Sequence, residues 1–245
     1  MFALMLVLSS ASTSVEAGVV RSANSVTQTA GATGEGINAL INQSGLEERT
    51  TLCPSGNLSC NVLGVAGGNP LPYTSGVTDW TTYFAAFPTH TAEKQVGFPV
   101  TYFEWWSGTF TSSASLLFDF GTDTLLSGIA IWNEDAVGVS TFNLRDGNGN
   151  LLLSGQSLTD NPSFPQANPY RADLFTFTAV QTRYLTLELT ACNYQNSLFG
   201  NRCSLGEVTF RQELASVPAP AAVMMLGWWI VLLGAVRALP RAAGR

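Results

Sequence analysis

Basic side chains other than arginine are nearly missing from this chain: its 245 residues include one lysine, Lys94, and one histidine, His90. Charged residues make up only 11% of the sequence, and the formal net charge is −6. No basic stripe exists to follow a phosphate backbone, so nucleic acid is excluded as an expected partner. The acidic balance also disfavours anionic lipid headgroups, except beside the arginines at the C-terminal end. Nucleophile–base–orienter sets are hard to assemble from one histidine and one lysine, and no G-x-S-x-G is present. His90, in "FPTHTAEK", stands among polar residues and is expected to be a solvated loop histidine. Glu134 and Asp135 are adjacent, and neighbours on an extended chain point apart, so they do not form an acid–base pair. "GATGEG" lacks the Lys-Ser/Thr of a phosphate loop. The chain is therefore not expected to be an enzyme.

Cysteine is scarce as well, but its four positions fall into two local pairs, Cys53 with Cys60 and Cys192 with Cys203. An even count in local pairs predicts two disulfides in an exported chain. Neither spacing is C-x-x-C, and His90 is distant from both pairs, which makes zinc the weaker reading.

Hydrophobic runs are confined to the two ends. "MFALMLVLSSASTSVEA" has an apolar stretch from Phe2 to Leu8, and Val15 and Ala17 fill the small-residue positions of a cleavage site, so residues 1–17 read as a signal peptide. Its n-region carries no Lys or Arg. At the other end, Ala221 to Val236 is sixteen apolar residues, about 24 Å as a helix. Such a helix either spans a thin membrane or lies buried in a core. Trp228 and Trp229 leave it no polar face, and Arg237, Arg241 and Arg245 follow, which favours a membrane helix at 221–236 with a cytoplasmic basic tail at 237–245. Pro218 and Pro220 mark residues 212–220 as an extended linker.

The stretch between the ends is long enough for one sizeable core, and its hydrophobic period is two. Leu116, Phe118 and Phe120 share one strand face. Phe142 and Leu144 face Leu151 and Leu153 across a Gly/Asn turn, which predicts a hairpin. Phe175, Phe177 and Ala179 alternate, as do Leu185, Leu187 and Leu189, and Val208 with Phe210. No ten-residue window between 45 and 211 has a helical period. These patterns predict an all-β sandwich or barrel. "DGNGN" at Asp146–Asn150 begins like a calcium loop, but Leu151 and Ser157 stand where glycine and glutamate are required, so a hairpin turn is expected there.

Three stretches, in order, resemble discoidin-like (F5/8 type C, galactose-binding-like) domains: "INALINQSGL", "LLFDFGTDTLLSGIAIWNEDAVGVSTFNL" and "RYLTLELTACNYQNSLFGNRCSLGEVTF". The resemblance implies a galactose-binding-like jelly-roll β-sandwich over residues 18–211. It also implies a structural Ca²⁺ between the early loop, with Ala39, Asn42 and Ser44, and Glu207 at the opening of the last strand. Asn42 replaces an aspartate frequent in the family, and the bland alternative is that Glu207 is only a rim carboxylate. "VPAPAA", with Val217, Pro218, Ala219 and Pro220 before the apolar run and the arginines, resembles a PEP-CTERM sorting signal. That likeness implies export in a Gram-negative bacterium, transient anchoring in the inner membrane, processing by an exosortase-type enzyme, and delivery to the cell surface or medium. A plain tail anchor is the alternative.

Aromatic residues are abundant in one place. Ten of the twenty-six Phe, Tyr and Trp lie between Trp80 and Phe110. Sugar C–H faces stack on such rings, which makes Trp80, Tyr102, Trp105 and Trp106 candidate ligand contacts; closing the base of the sandwich is the competing role. Trp105 and Trp106 are adjacent in a strand and must face opposite sides. The expected function is that of a lectin-like module for extracellular polysaccharide. A structural matrix protein without a defined ligand and, less favoured, a glycan-active hydrolase are the alternatives.

Overall fold

The computed structural model describes residues 18–43, 45–46, 71–90, 104–133, 138–159, 170–192 and 201–214. All lie in the compact unit that ends at Leu214. The signal-peptide segment, Cys53 and Cys60, Tyr102, Ser44, Glu134 and Asp135, Val217–Pro220 and the apolar run 221–236 lie outside the described residues. Among the described residues no helix is long and apolar enough to cross a membrane.

The all-β expectation is met. The described residues form strands β1 (Gly18–Arg21), β2 (Ser25–Ala30), β3 (Thr89–His90), β4 (Trp105–Trp106), β5 (Ala114–Asn133), β6 (Val139–Asp146), β7 (Leu151–Ser157), β8 (Tyr170–Cys192) and β9 (Ser204–Glu213). They join in one antiparallel sheet ordered β1-β9-β5-β8-β6-β7, with β2 added on β5, β3 on β8 and β4 on β9. Segments that read as separate strands in the sequence are continuous: β5 holds 20 residues and β8 holds 23. Both bend together. Their register shifts between Asp119 and Thr124, and the two halves of β5 take different partners, β2 before the bend and β9 after it. Gly121 supplies the turn with φ of 77°, a left-handed conformation that a side chain resists, and a Cβ there would lie 2.5 Å from Asn24 Nδ2.

The bend folds the sheet over its own apolar face. Phe118 and Phe120 from the first half of β5 meet Phe210 of β9 edge-on, at ring distances of 5.2 and 5.0 Å. Phe142 of β6 meets Phe175 of β8 in the same way at 5.0 Å. Leu116, Leu185, Leu187, Leu189 and Val208 complete this interior, as their alternation predicts. The β6–β7 hairpin also forms, with Leu144 opposite Leu153. Its turn is capped by Asp146, whose carboxylate accepts from the Asn148 and Asn150 N–H groups and from the Asn150 side chain. These bonds satisfy the carboxylate within the turn, in line with the hairpin reading of "DGNGN".

Two details depart from the sequence reading. A helix, α1 (Trp80–Ala85), is present; it is six residues long, shorter than any window that could show a period, and its signal is the Asp79 cap accepting from Thr82 N–H at 2.7 Å. β9 also runs through Glu213, which pairs with Gly18, two residues beyond the expected domain boundary.

Arg183 holds the bend from outside, its Nε and Nη2 donating to Asp119 Oδ1 and Oδ2 at 2.8 and 2.9 Å. This pair, with the Gly121 N–H, keeps the Asp119 carboxyl down to about 2. A depressed carboxyl contributes stability above its unfolded value of 3.8 and loses it as pH falls through the folded one. Asp119→Asn is therefore expected to melt below the wild type at neutral pH, the gap closing between about pH 4 and 2. A gap that persists at pH 2 in paired melting curves would overturn this.

Candidate functional site

Two constellations stand out. The first lies on the outer face of the sheet. Tyr73, Trp80, Tyr83, Phe84 and Trp132 form a second apolar cluster with Val20, Leu46 and Ala130. Trp80 packs on Phe84 at 4.4 Å and is 6% exposed, because α1 lays its apolar side on the sheet. As a candidate sugar contact Trp80 is therefore corrected: it has no free face to offer. Trp105 is corrected for the same reason, fully buried in the main core, while Trp106 on the opposite side of β4 is half-buried.

Glu207 lies beneath this aromatic layer with no exposed surface. Its Oε2 accepts from the Gln43 N–H at 2.9 Å, and its Oε1 from the Tyr73 hydroxyl at 3.2 Å. The Gln43 side chain in turn accepts from the Tyr73 N–H at 2.7 Å, and Ser22 Oγ bonds the Tyr73 hydroxyl. Burial pushes the Glu207 carboxyl well above the usual range, against these two hydrogen bonds. Burial, and next the nearby Glu207, push the Tyr73 phenol up as well. The rim-carboxylate alternative thus fails, since Glu207 is wholly enclosed.

The early loop and Glu207 do come together, the contact being the Gln43 N–H on the carboxyl oxygen. Hard cations collect about six to eight oxygen lone pairs. Here the groups aimed at the carboxylate carry hydrogen: an amide N–H and a phenol O–H. Ala39 donates its N–H to Gly36 O within a 3-10 turn, and Asn42 is exposed. Among the described residues no group of three or more His, Cys, Asp or Glu gathers that could hold a metal ion. His90 also departs from the solvated reading. It is fully buried in β3 against Gly45, where a Cβ would stand 2.0 Å from Nε2, so the missing side chain of Gly45 is what admits the imidazole.

The second constellation is the loop between β4 and β5. Its backbone is tied on two sides: Gly108 N–H donates to Ala32 O, and Glu35 exchanges backbone bonds with Trp106, while Ser107 and Thr111 N–H donate to Cys203 O and Asn201 O, each at 2.8 Å. Cys203 N–H returns a bond to Ser107 Oγ at 2.8 Å. The Cys192–Cys203 disulfide is present as expected and links the end of β8 to the residue before β9. From this frame Phe110 projects, 83% exposed, with φ of 60°. A left-handed backbone at a phenylalanine costs on the order of 1 kcal/mol. The fold bears that cost without burying the ring. Phe110 closes the aromatic stretch that the sequence singles out, but its exposure depends on the backbone turn, which no local pattern announces. Gln43 and Tyr73 were not among the expected site residues either; Gln43 lies in the quoted "INALINQSGL", whereas Tyr73 has no local signal.

No protein-family model matches the sequence, and no curated protein matches it. Several solved structures are similar. The module CBM32-3 of a family 31 glycoside hydrolase from Clostridium perfringens is 15% identical with a TM-score of 0.36, over 45% of this chain and 75% of that one. A family 32 carbohydrate-binding module of the same organism, solved in complex with galactose, is 15% identical with a TM-score of 0.32, over 44% and 75%. A fucose-binding module of Streptococcus pneumoniae is 19% identical with a TM-score of 0.32, over 45% and 70%. Each likeness spans less than half of this chain, and what those modules bind is a property of those proteins.

Proposed function

We propose that this chain is an exported, non-catalytic carbohydrate-binding module, with Phe110 as its stacking platform. The observation that carries this reading is a phenylalanine ring held 83% exposed on a loop fastened at both flanks. A monomer gains nothing from presenting such a ring to water, whereas a sugar's C–H face does gain from covering it. Fastening also lowers the ordering cost of binding, because the platform is set before the ligand arrives. Trp106, half-buried on β4, belongs to the same stretch. The ligand class is polysaccharide outside the cell, in keeping with a signal peptide at 1–17 and a disulfide at Cys192–Cys203. The tail completes the proposal: residues 221–236 hold the chain in the inner membrane until an exosortase-type enzyme cuts near Val217–Pro220.

One preparation tests both halves. Surface-released protein is applied to a glycan array, and its C-terminus is read by mass spectrometry. Wild type is expected to bind at least one polysaccharide, Phe110→Ala to bind it about tenfold or more weakly, and the mature C-terminus to fall near Pro220. No binding, or equal binding by Phe110→Ala, favours a matrix protein without a defined ligand. An intact Arg245 on the released form excludes processing.

A further inference from the structure

Gln43 adopts φ of 62°, a left-handed backbone unusual for a residue with a long side chain. Three hydrogen bonds account for it. In that conformation the Gln43 N–H reaches Glu207 Oε2 while its side-chain oxygen receives the Tyr73 N–H, and the Tyr73 hydroxyl reaches the other oxygen of Glu207. Gln43, Tyr73 and Glu207 thus bond one another in a closed ring. They come from three separate parts of the chain: the early loop, the segment leading to α1, and β9. Ser22, between β1 and β2, joins through the Tyr73 hydroxyl and donates its N–H to Ser75 Oγ at 3.0 Å.

We propose that this ring is a cation-free clasp, fastening the early loop to the last strand at the place where the family resemblance implies calcium. A dication needs the lone pairs of the carboxylate, and here the two oxygens are met by donor hydrogens. Seating the ion requires both donors to withdraw, which takes the Gln43 N–H off its carboxyl acceptor and leaves the buried Tyr73 hydroxyl with Ser22 Oγ in place of Glu207. The segment carrying Tyr73 is itself fixed by Tyr83, whose hydroxyl donates to Leu71 O at 2.6 Å and whose ring meets Tyr73 edge-on at 5.5 Å. Tyr73 therefore fills the space as a built part of the core. The loop keeps its shape whether or not calcium is present outside the cell. This inference is independent of the sugar reading.

Melting of the full-length protein tests it. Curves in EDTA and in excess calcium chloride are expected to coincide within about 1 °C, because a ligand that does not bind the native state cannot raise its Tm. Tyr73→Phe removes one oxygen and is expected to lower Tm by on the order of 5 °C, equally in both solutions. Glu207→Gln, which keeps acceptor oxygen, is expected to lose less than Glu207→Ala. Calcium raising the wild-type Tm by several degrees, with Glu207→Ala abolishing the rise, overturns the clasp. An unchanged Tm for Tyr73→Phe overturns it too, and that variant remains readable if Glu207→Ala does not fold.

Discussion

Phe210→Ala is expected to destabilise the domain by about 3–5 kcal/mol, the range for emptying a phenylalanine site in a close-packed core. Phe210 has no exposed surface and is the ring on which both Phe118 and Phe120 rest edge-on. Its removal takes away its own buried area and the contacts that hold the folded-over halves of β5 against β9. In a domain of this size 1 kcal/mol moves Tm by about 2–4 °C, so a fall on the order of 10 °C is expected. Thermal or urea unfolding measures it. Phe110→Ala is the control, since a ring that is already in water leaves no cavity and is expected to change stability by less than about 0.5 kcal/mol. A loss under about 1 kcal/mol for Phe210→Ala would mean that the interior does not close around this ring.

The second large effect belongs to the disulfide. Replacing Cys192 and Cys203 together by alanine is expected to cost about 3 kcal/mol in the loop-entropy account, for a bridge of sequence separation 11. Both sulfurs are buried, and Cys203 also anchors Ser107 through its carbonyl and its N–H. Loosening the bridge therefore loosens the loop that carries Phe110, and glycan affinity is expected to fall along with Tm. Melting with and without reductant, together with non-reducing peptide mapping, checks this. Identical curves for the oxidised and reduced protein would remove the bridge from the stability account.

The strands were legible because alternation is a local property. Leu116, Phe118 and Phe120 declare one face without reference to anything else, and the fold buries all three. The bend was not legible: whether "DFGTDTLL" ends a strand or turns it depends on what β2 and β9 offer its two halves, which is information held about 90 residues away on each side. The tryptophans show the same limit. The sequence places Trp105 and Trp106 on opposite sides but does not say which side is the interior; Leu205, opposite Trp105, decides it. Glu207 was legible as a residue with a task, through its resemblance to a family position. Its partners were not, because Tyr73 reaches it from a segment 134 positions earlier with no motif to mark it.

The pairing of β1 with β9 has a consequence for biogenesis. Gly18 lies opposite Glu213 and Arg21 opposite Phe210, so the first strand, although Val20 bonds Gly76 and Thr78 earlier in the chain, has no strand to pair with among the described residues until the last has been made. Nearly the whole domain must leave the ribosome before its edge can close, and contacts between residues this far apart form late. A translocation channel that threads an extended chain would receive this protein during that interval, before the sheet is complete. The topology itself thus postpones closure of the β1–β9 edge until the end of the domain is available.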